Sequence, residues 1–309
     1  MFRFTMPDNT LEYSYRLKLV RDQLGEFLSS RALSEIFSLL GVDRDTIGDI
    51  YNGRRKNGGR VLETQVLMPK RELDSVRYEL YLLFRELGFI DINKPIRTDN
   101  SHILVLGGSF NATFDRTHAA ARWVMESTSF VEGLSCYRPI NPIERRGSEF
   151  RSACDTEFGV MSDAFGSVFM LPSSDWEDDF TGDRNLNRIS CVRSLNKAPD
   201  DRIYRIYAAP STQAELRRAD TGDSVLFFLE HTDIRADDSV LAVTNNMFCN
   251  RQFLQLVYCL MKMRYCVNFD VVGCIPDDRI TIEESFNPVI YVQELIALLS
   301  WIDRFEKDI

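Results

Sequence analysis

Gly107, Gly108 and Ser109 stand between a short apolar run and a stretch that holds Asn111, Asp115 and Arg116. Paired glycines let backbone come close to a bound molecule, and a helix that begins just beyond them points free N–H groups at an anion. Arg116 can grip a phosphate or carboxylate through two parallel hydrogen bonds. With no ligand at all, the same glycines suit a tight turn from strand to helix. Further on, LSCYRPINPIERRGSEFRSACDTEFGVM gathers Arg138, Glu144, Glu149, Asp155 and Glu157. Glu157 falls near the start of a helix containing Phe158, Val160 and Met161, where a carboxylate can contact a ligand hydroxyl or act as a base. In APSTQAELRRADTGDSVLFF, Thr221 is placed to cap a helix or to touch a phosphate. In SVLAVTNNMFCNRQF, Thr244, Asn245 and Asn246 lie at a strand end, and Arg251 lies just inside the following helix.

These groups need a frame that brings strand ends together. Leu17, Val20, Leu24, Phe27 and Leu28 recur at helical offsets and predict a helix over about 10–29. Leu73, Val76, Leu80, Leu83 and Leu87 predict another, closed by Gly88 in a left-handed cap. After Pro95 the pattern changes. His102–Leu106 reads as a strand, followed by the glycine turn and a helix from about Asp115 to Glu126. Phe130–Ser135, Ser167–Leu171, Ile203–Ala208, Ser239–Thr244 and Val267–Val272 are further strand candidates. Phe253, Leu256, Val257, Leu260 and Met261 mark one helix face, and Val289–Phe305 is a last amphipathic helix that packs on the sheet or on the N-terminal unit. The acidic run Asp175–Asp183 reads as an exposed loop or lid. Alternating strands and helices favour an α/β fold: a Rossmann-like, mostly parallel sheet with helices on both faces, preceded by a helical unit. The expected division is 1–97 for the helical N-terminal unit and 98–309 for the Rossmann-like ligand-binding domain. In such a sheet, ligands collect at the carboxyl ends of the strands.

Taken in order, VLGGSF…R, a Ser-containing strand end before TEFGVM, PST…ADTGDS and LAVTNNMFCNRQ resemble the successive blocks of the YdcF/SanA-like family over roughly 101–275. The resemblance implies a Rossmann-like fold and a nucleotide-like or other phosphate-bearing ligand, with S-adenosylmethionine among the candidates. Members are often linked to the bacterial envelope. Three departures stand out. Phe248 occupies the place of a histidine that commonly precedes the arginine, Thr221-Gly222-Asp223-Ser224 lacks the asparagine of a T-x-x-N block, and Ser135-Cys136-Tyr137 replaces a glycine-rich strand end. Binding is thus better supported than any reaction. If the protein is an enzyme, the expected class is transferase or hydrolase, with Glu157 and Arg251 as the catalytic candidates.

A net charge of −9 argues against a whole-surface nucleic-acid or anionic-membrane binder. Residues 1–100 carry 16 basic and 15 acidic side chains against 21 and 31 in the rest, which suggests two different structural units. Seven cysteines without a CxxC pair read as reduced cytosolic thiols, of which only Cys136 and Cys154 flank the polar loop. No stretch has signal-peptide or membrane-span character, so the expected place is the cytoplasm. His102, His118 and His231 form no metal-spaced cluster, and Mg²⁺ would enter only with a bound phosphate. GGSFN also opens a nucleotidyltransferase phosphate signature, but Phe114 and Thr117 hold its histidine places. LSEIFSLLGVDRDTIGDIYNGRR resembles a DNA-binding helix-turn-helix with Gly41 at the turn. Asp45 and Asp49 would face the DNA, so a helical cap with a solvated basic loop is preferred.

Overall fold

The apolar runs His102–Leu106 and Ser239–Asn245 are buried along their whole length, as central strands of a parallel sheet must be. The computed structural model describes residues 1–44, 70–146, 148–232, 234–274, 283 and 286–309. Along the chain its helices are α1 (Tyr13–Leu28), α2 (Arg31–Leu40), α3 (Lys70–Ser75), α4 (Arg77–Glu86), α5 (Phe110–Ala121), α6 (Glu157–Val168), α7 (Thr221–His231), α8 (Cys249–Met263) and α9 (Pro288–Asp308). The strands are β1 (His102–Leu106), β2 (Phe130–Ser135), β3 (Glu177–Thr181), β4 (Ser190–Leu195), β5 (Ile203–Ala208), β6 (Ser239–Asn245) and β7 (Asn268–Cys274).

One unit comprises Asn93–Asn245 and Tyr265–Pro276 and contains the sheet. Its strand order is β3-β4-β5-β2-β1-β6-β7. β1, β2, β5, β6 and β7 are parallel, while β3 and β4 run antiparallel at one edge. The chain builds outward from β1 through β2 and β5, then returns to the other side of β1 for β6 and β7. That reversal opens a crevice at the carboxyl ends of β1 and β6. Side chains alternate between faces along each strand. Ile103, Val105, Val131, Ile206, Leu241 and Val243 point to the face covered by α6, where Met161 and Phe165 complete the main core. Tyr207 points to the opposite face, its ring edge-on to Phe228 of α7 with centroids 5.5 Å apart. Helices therefore cover both faces. The second face also buries Glu132, whose two oxygens meet His102 Nδ1 at 2.7 Å and the Tyr207 hydroxyl at 2.8 Å.

The other unit comprises Met1–Ile92, Asn246–Arg264 and Asp277–Ile309. In it α2 packs on α4, and α8 and α4 pack on α9. Phe4 stacks on Phe253 and meets Phe27, closing an aromatic cluster around the first residues. Gly88 takes φ +78°, and a Cβ there would lie 1.9 Å from the Phe2 carbonyl oxygen, so the start of the chain requires glycine at this turn. A boundary at 97 would give everything beyond it to one domain, but the contacts group α8 and α9 with the N-terminal helices.

Several sequence expectations need correction. Ser167–Leu171 is not a strand: α6 runs through Val168, and Met170 adopts φ +54° as the chain turns away. Part of the acidic run expected as a loop forms β3, paired with β4, a strand the sequence did not announce. Every β3 residue is exposed, so no apolar alternation betrays it. The helix expected over 73–87 breaks at Val76 into α3 and α4. α5 begins at Phe110, five residues before the expected Asp115, because the two glycines and Ser109 complete the turn by themselves. Gly41 does end α2, but most of the DNA-binding segment that follows, and the loop 52–60, lie outside the described residues. Among the described residues no helix is long and apolar enough to cross a membrane.

Candidate functional site

The carboxyl ends of β1 and β2 bring together a charged cluster centred on Arg138. Its Nε donates to Glu157 Oε2 at 2.8 Å, its Nη1 to Glu144 Oε1 at 2.7 Å, and its Nη2 to the Gly108 carbonyl at 2.9 Å. One guanidinium thus holds two carboxylates and the glycine turn. Glu157 is the first residue of α6, whose cap Thr156 accepts from the Gly159 N–H. It is 8% exposed and lies so close to Gly107 that a Cβ there would sit 2.3 Å from its Oε1. Glycine at 107 therefore makes room for an acid, and the close approach is to the chain's own carboxylate.

Burial pushes the Glu157 carboxyl above its ordinary range, opposed by the positive charges of Arg138, Arg218 and Arg116. Glu144 moves the other way. Partial burial works to raise it, but hydrogen bonds from Arg138 and from the Asn141 and Phe110 N–H groups hold it below the usual carboxylate range. Two neighbouring carboxyls are thereby driven apart, the pattern expected of an acid and a base. The Cys136 thiol is pushed up to about 12, by burial and by the negative charge of Glu157, so it remains a thiol.

Arg116, expected to grip a ligand, is 2% exposed. Its Nε donates to Asn245 Oδ1 at 2.8 Å and its Nη1 to the carbonyls of Leu106 and Gly107. It ties β1 to β6 at the point where the strand order reverses, and Asn245 serves there as its acceptor. Ser109 is exposed at the head of α5. Asn111 lies in the first turn, with its buried Oδ1 unbonded. Thr244 is fully buried and its Oγ1 has no hydrogen bond. Thr221 is not the cap of α7. Asp220 is, in a reciprocal box with Asp223, because a carboxylate at the cap accepts a hydrogen bond from the Asp223 N–H while the Asp223 side chain accepts one from the Asp220 N–H. Arg217 pairs with Asp223, and its charge and hydrogen bond outweigh burial to hold that carboxyl low.

Gly107, Gly108, Arg138 and Glu157 are in direct contact, with Arg116 and Asn245 at the same sheet end. Arg251 has other partners. It belongs to the helical unit, where its Nε donates to Glu294 at 2.5 Å and its Nη1 to Gln255 at 3.1 Å. Sequence reasoning noted Glu144 without choosing it. The signal was present in Asn141-Pro142-Ile143-Glu144, an Asn cap with proline at the first position and an acid three residues on. Arg218, exposed and close enough to act electrostatically on Glu157, carries no such signature.

Fold and site together define a Rossmann-like α/β protein with a half-buried arginine–dicarboxylate centre at the carboxyl ends of β1 and β2, beside its switch point. No family model, curated protein or solved structure matches the chain.

Proposed function

We propose that the protein binds a phosphate-bearing, nucleotide-like small molecule at the carboxyl ends of β1, β2 and β5. The observation that carries this reading is the Arg138 guanidinium, set between the Gly107-Gly108 turn and Glu157 beside the switch point. Arg138 supplies the positive charge that the notion of an Arg116 grip had assigned elsewhere, and Ser109 offers an exposed hydroxyl next to it. Glu157, whose carboxyl burial pushes above its ordinary range, suits a ligand hydroxyl or a proton transfer, so transferase or hydrolase chemistry is the class proposed. S-adenosylmethionine and nucleotides are the ligands to try first, with Mg²⁺ only as a companion of phosphate and the cytoplasm as the place of action. The family resemblance points the same way.

A thermal-shift series with nucleotides and S-adenosylmethionine tests the reading, because a ligand bound only by the folded state raises the midpoint with concentration. Arg138→Gln should lower affinity by about 1.5–3 kcal/mol, the value of a charged hydrogen bond. A flat response to every compound, or full binding by the Arg138 variant, would sink it.

A second reading is favoured by a specific observation: Arg116, Glu144 and Asp223 each already have hydrogen-bond partners within the chain. In that case the protein is an interaction module whose pocket is filled by its own side chains. Absence of any small-molecule response would select it.

A further inference from the structure

The excursion between β2 and α6 forms a strap, described at 141–146 and 148–154. Its ends are tied together, since the Ile140 N–H donates to the Asp155 carbonyl at 2.8 Å and Pro139 pairs with Thr156. Between those ends it folds over the first turns of α5. Phe150 stacks on Phe114 with centroids 4.6 Å apart, and the Arg145 guanidinium lies 5.3 Å from the centroid of the Phe110 ring. The short turn Pro142–Arg145 then inserts one carboxylate inward. Glu144 Oε2 accepts from the Phe110 N–H at 3.2 Å and from Arg138 Nη2 at 3.2 Å, while Oε1 accepts from Arg138 Nη1 at 2.7 Å. An anion is therefore already seated where the first N–H of α5 and a half-buried guanidinium converge.

The strap is held more lightly than the sheet. Phe110, Phe114, Ile140, Val160 and Ala164 form a satellite cluster apart from the main core, and of the strap's described residues Phe150 and Cys154 join it, both partly buried. Asn141, Pro142, Ile143 and Arg146 face solvent, with Ile143 60% exposed. Segments with so few buried apolar contacts open locally at low cost.

We propose that Glu144 is an internal stand-in for the ligand's anion, so that phosphate binds by exchanging with it and lifting the strap. This rests on the binding reading above and adds the seat of the phosphate, namely the Phe110 N–H and the Arg138 guanidinium, together with a gate on that seat. A phosphate group brings more charge and more acceptor oxygens than one carboxylate to the same donors, which drives the exchange. The free protein spends most of its time with Glu144 in place, and apparent affinity falls by that fraction.

Inorganic pyrophosphate titrated calorimetrically into the full chain, at fixed ionic strength, is the direct test. The expected result is binding to wild type and about tenfold tighter binding to Glu144→Gln, which keeps the side-chain shape and removes the competing charge. Equal affinity would overturn the gate and leave the site standing. No binding to either protein would overturn the site itself. Hydrogen exchange on wild type decides without a variant: at saturating pyrophosphate, amides of the strap should exchange faster while the Phe110 amide stays protected. Unchanged strap protection would refute the exchange.

Discussion

Replacing Gly107 by alanine should damage the protein far more than replacing Gly166, although Gly166 lies within a helix. A Cβ at 107 would sit 2.3 Å from Glu157 Oε1 and 2.5 Å from the Leu134 carbonyl oxygen, both well inside ordinary contact at 3.4 Å. The carboxylate can swing aside, but doing so stretches the 2.8 Å bond to Arg138 and leaves a buried acid poorly paired. The Leu134 oxygen belongs to strand backbone and cannot move alone. Overpacking of this kind costs about 1–3 kcal/mol, which for a unit of this size lowers the midpoint by roughly 3–10 °C. At Gly166 a Cβ meets nothing within 4 Å. Alanine there should stabilise by about 0.5–1 kcal/mol, through helix propensity. Thermal unfolding followed by circular dichroism measures both. If Gly107→Ala melts with wild type, Glu157 does not press on the turn, and the account of the charged cluster fails.

Asp220→Ala should cost about 1 kcal/mol by removing the cap of α7, while Thr221→Ala should be near neutral; urea midpoints that rank the two in reverse would restore Thr221 as the cap. Glu144 and Asp223 both have folded pKa values below their unfolded ones, so the stability they contribute is present above the unfolded carboxylate value and is lost as pH falls through the folded value. Stability should therefore fall as pH drops below about 4, and Asp223→Asn should flatten that fall; an unchanged profile in the variant would show that Arg217 does not hold this carboxyl down.

The parallel strands were legible because burial on both faces leaves uninterrupted apolar runs such as Ile103–Leu106, and the first and last helices were legible through their 3.6-residue period. β3 was not, since all five of its side chains are exposed and mostly acidic, and its pairing with β4 is a matter of backbone hydrogen bonds that composition does not encode. Within the site, Gly107, Gly108, Arg138 and Glu157 could be read from their places after strands. The role of Arg116 could not: one residue type serves equally to grip a ligand or to rivet two strands, and only the position of the Asn245 amide distinguishes them. Arg251 looked equivalent along the chain because it follows β6 by a few residues. The unit boundary at Asn245 falls between them, and Glu294, forty-three residues later, supplies its partner.

The helical unit is assembled from three stretches of chain, and α9, on which α4 and α8 pack, is the last of them. During synthesis its opening helices must wait, with Phe4 lacking Phe253 and Phe84 lacking Tyr291, while the ribosome completes the whole intervening sheet. Ordering is thus vectorial for one half and deferred for the other. A nascent chain that stalls after residue 274 and before residue 288 would present the quality-control machinery with a finished sheet and an orphaned set of greasy helices.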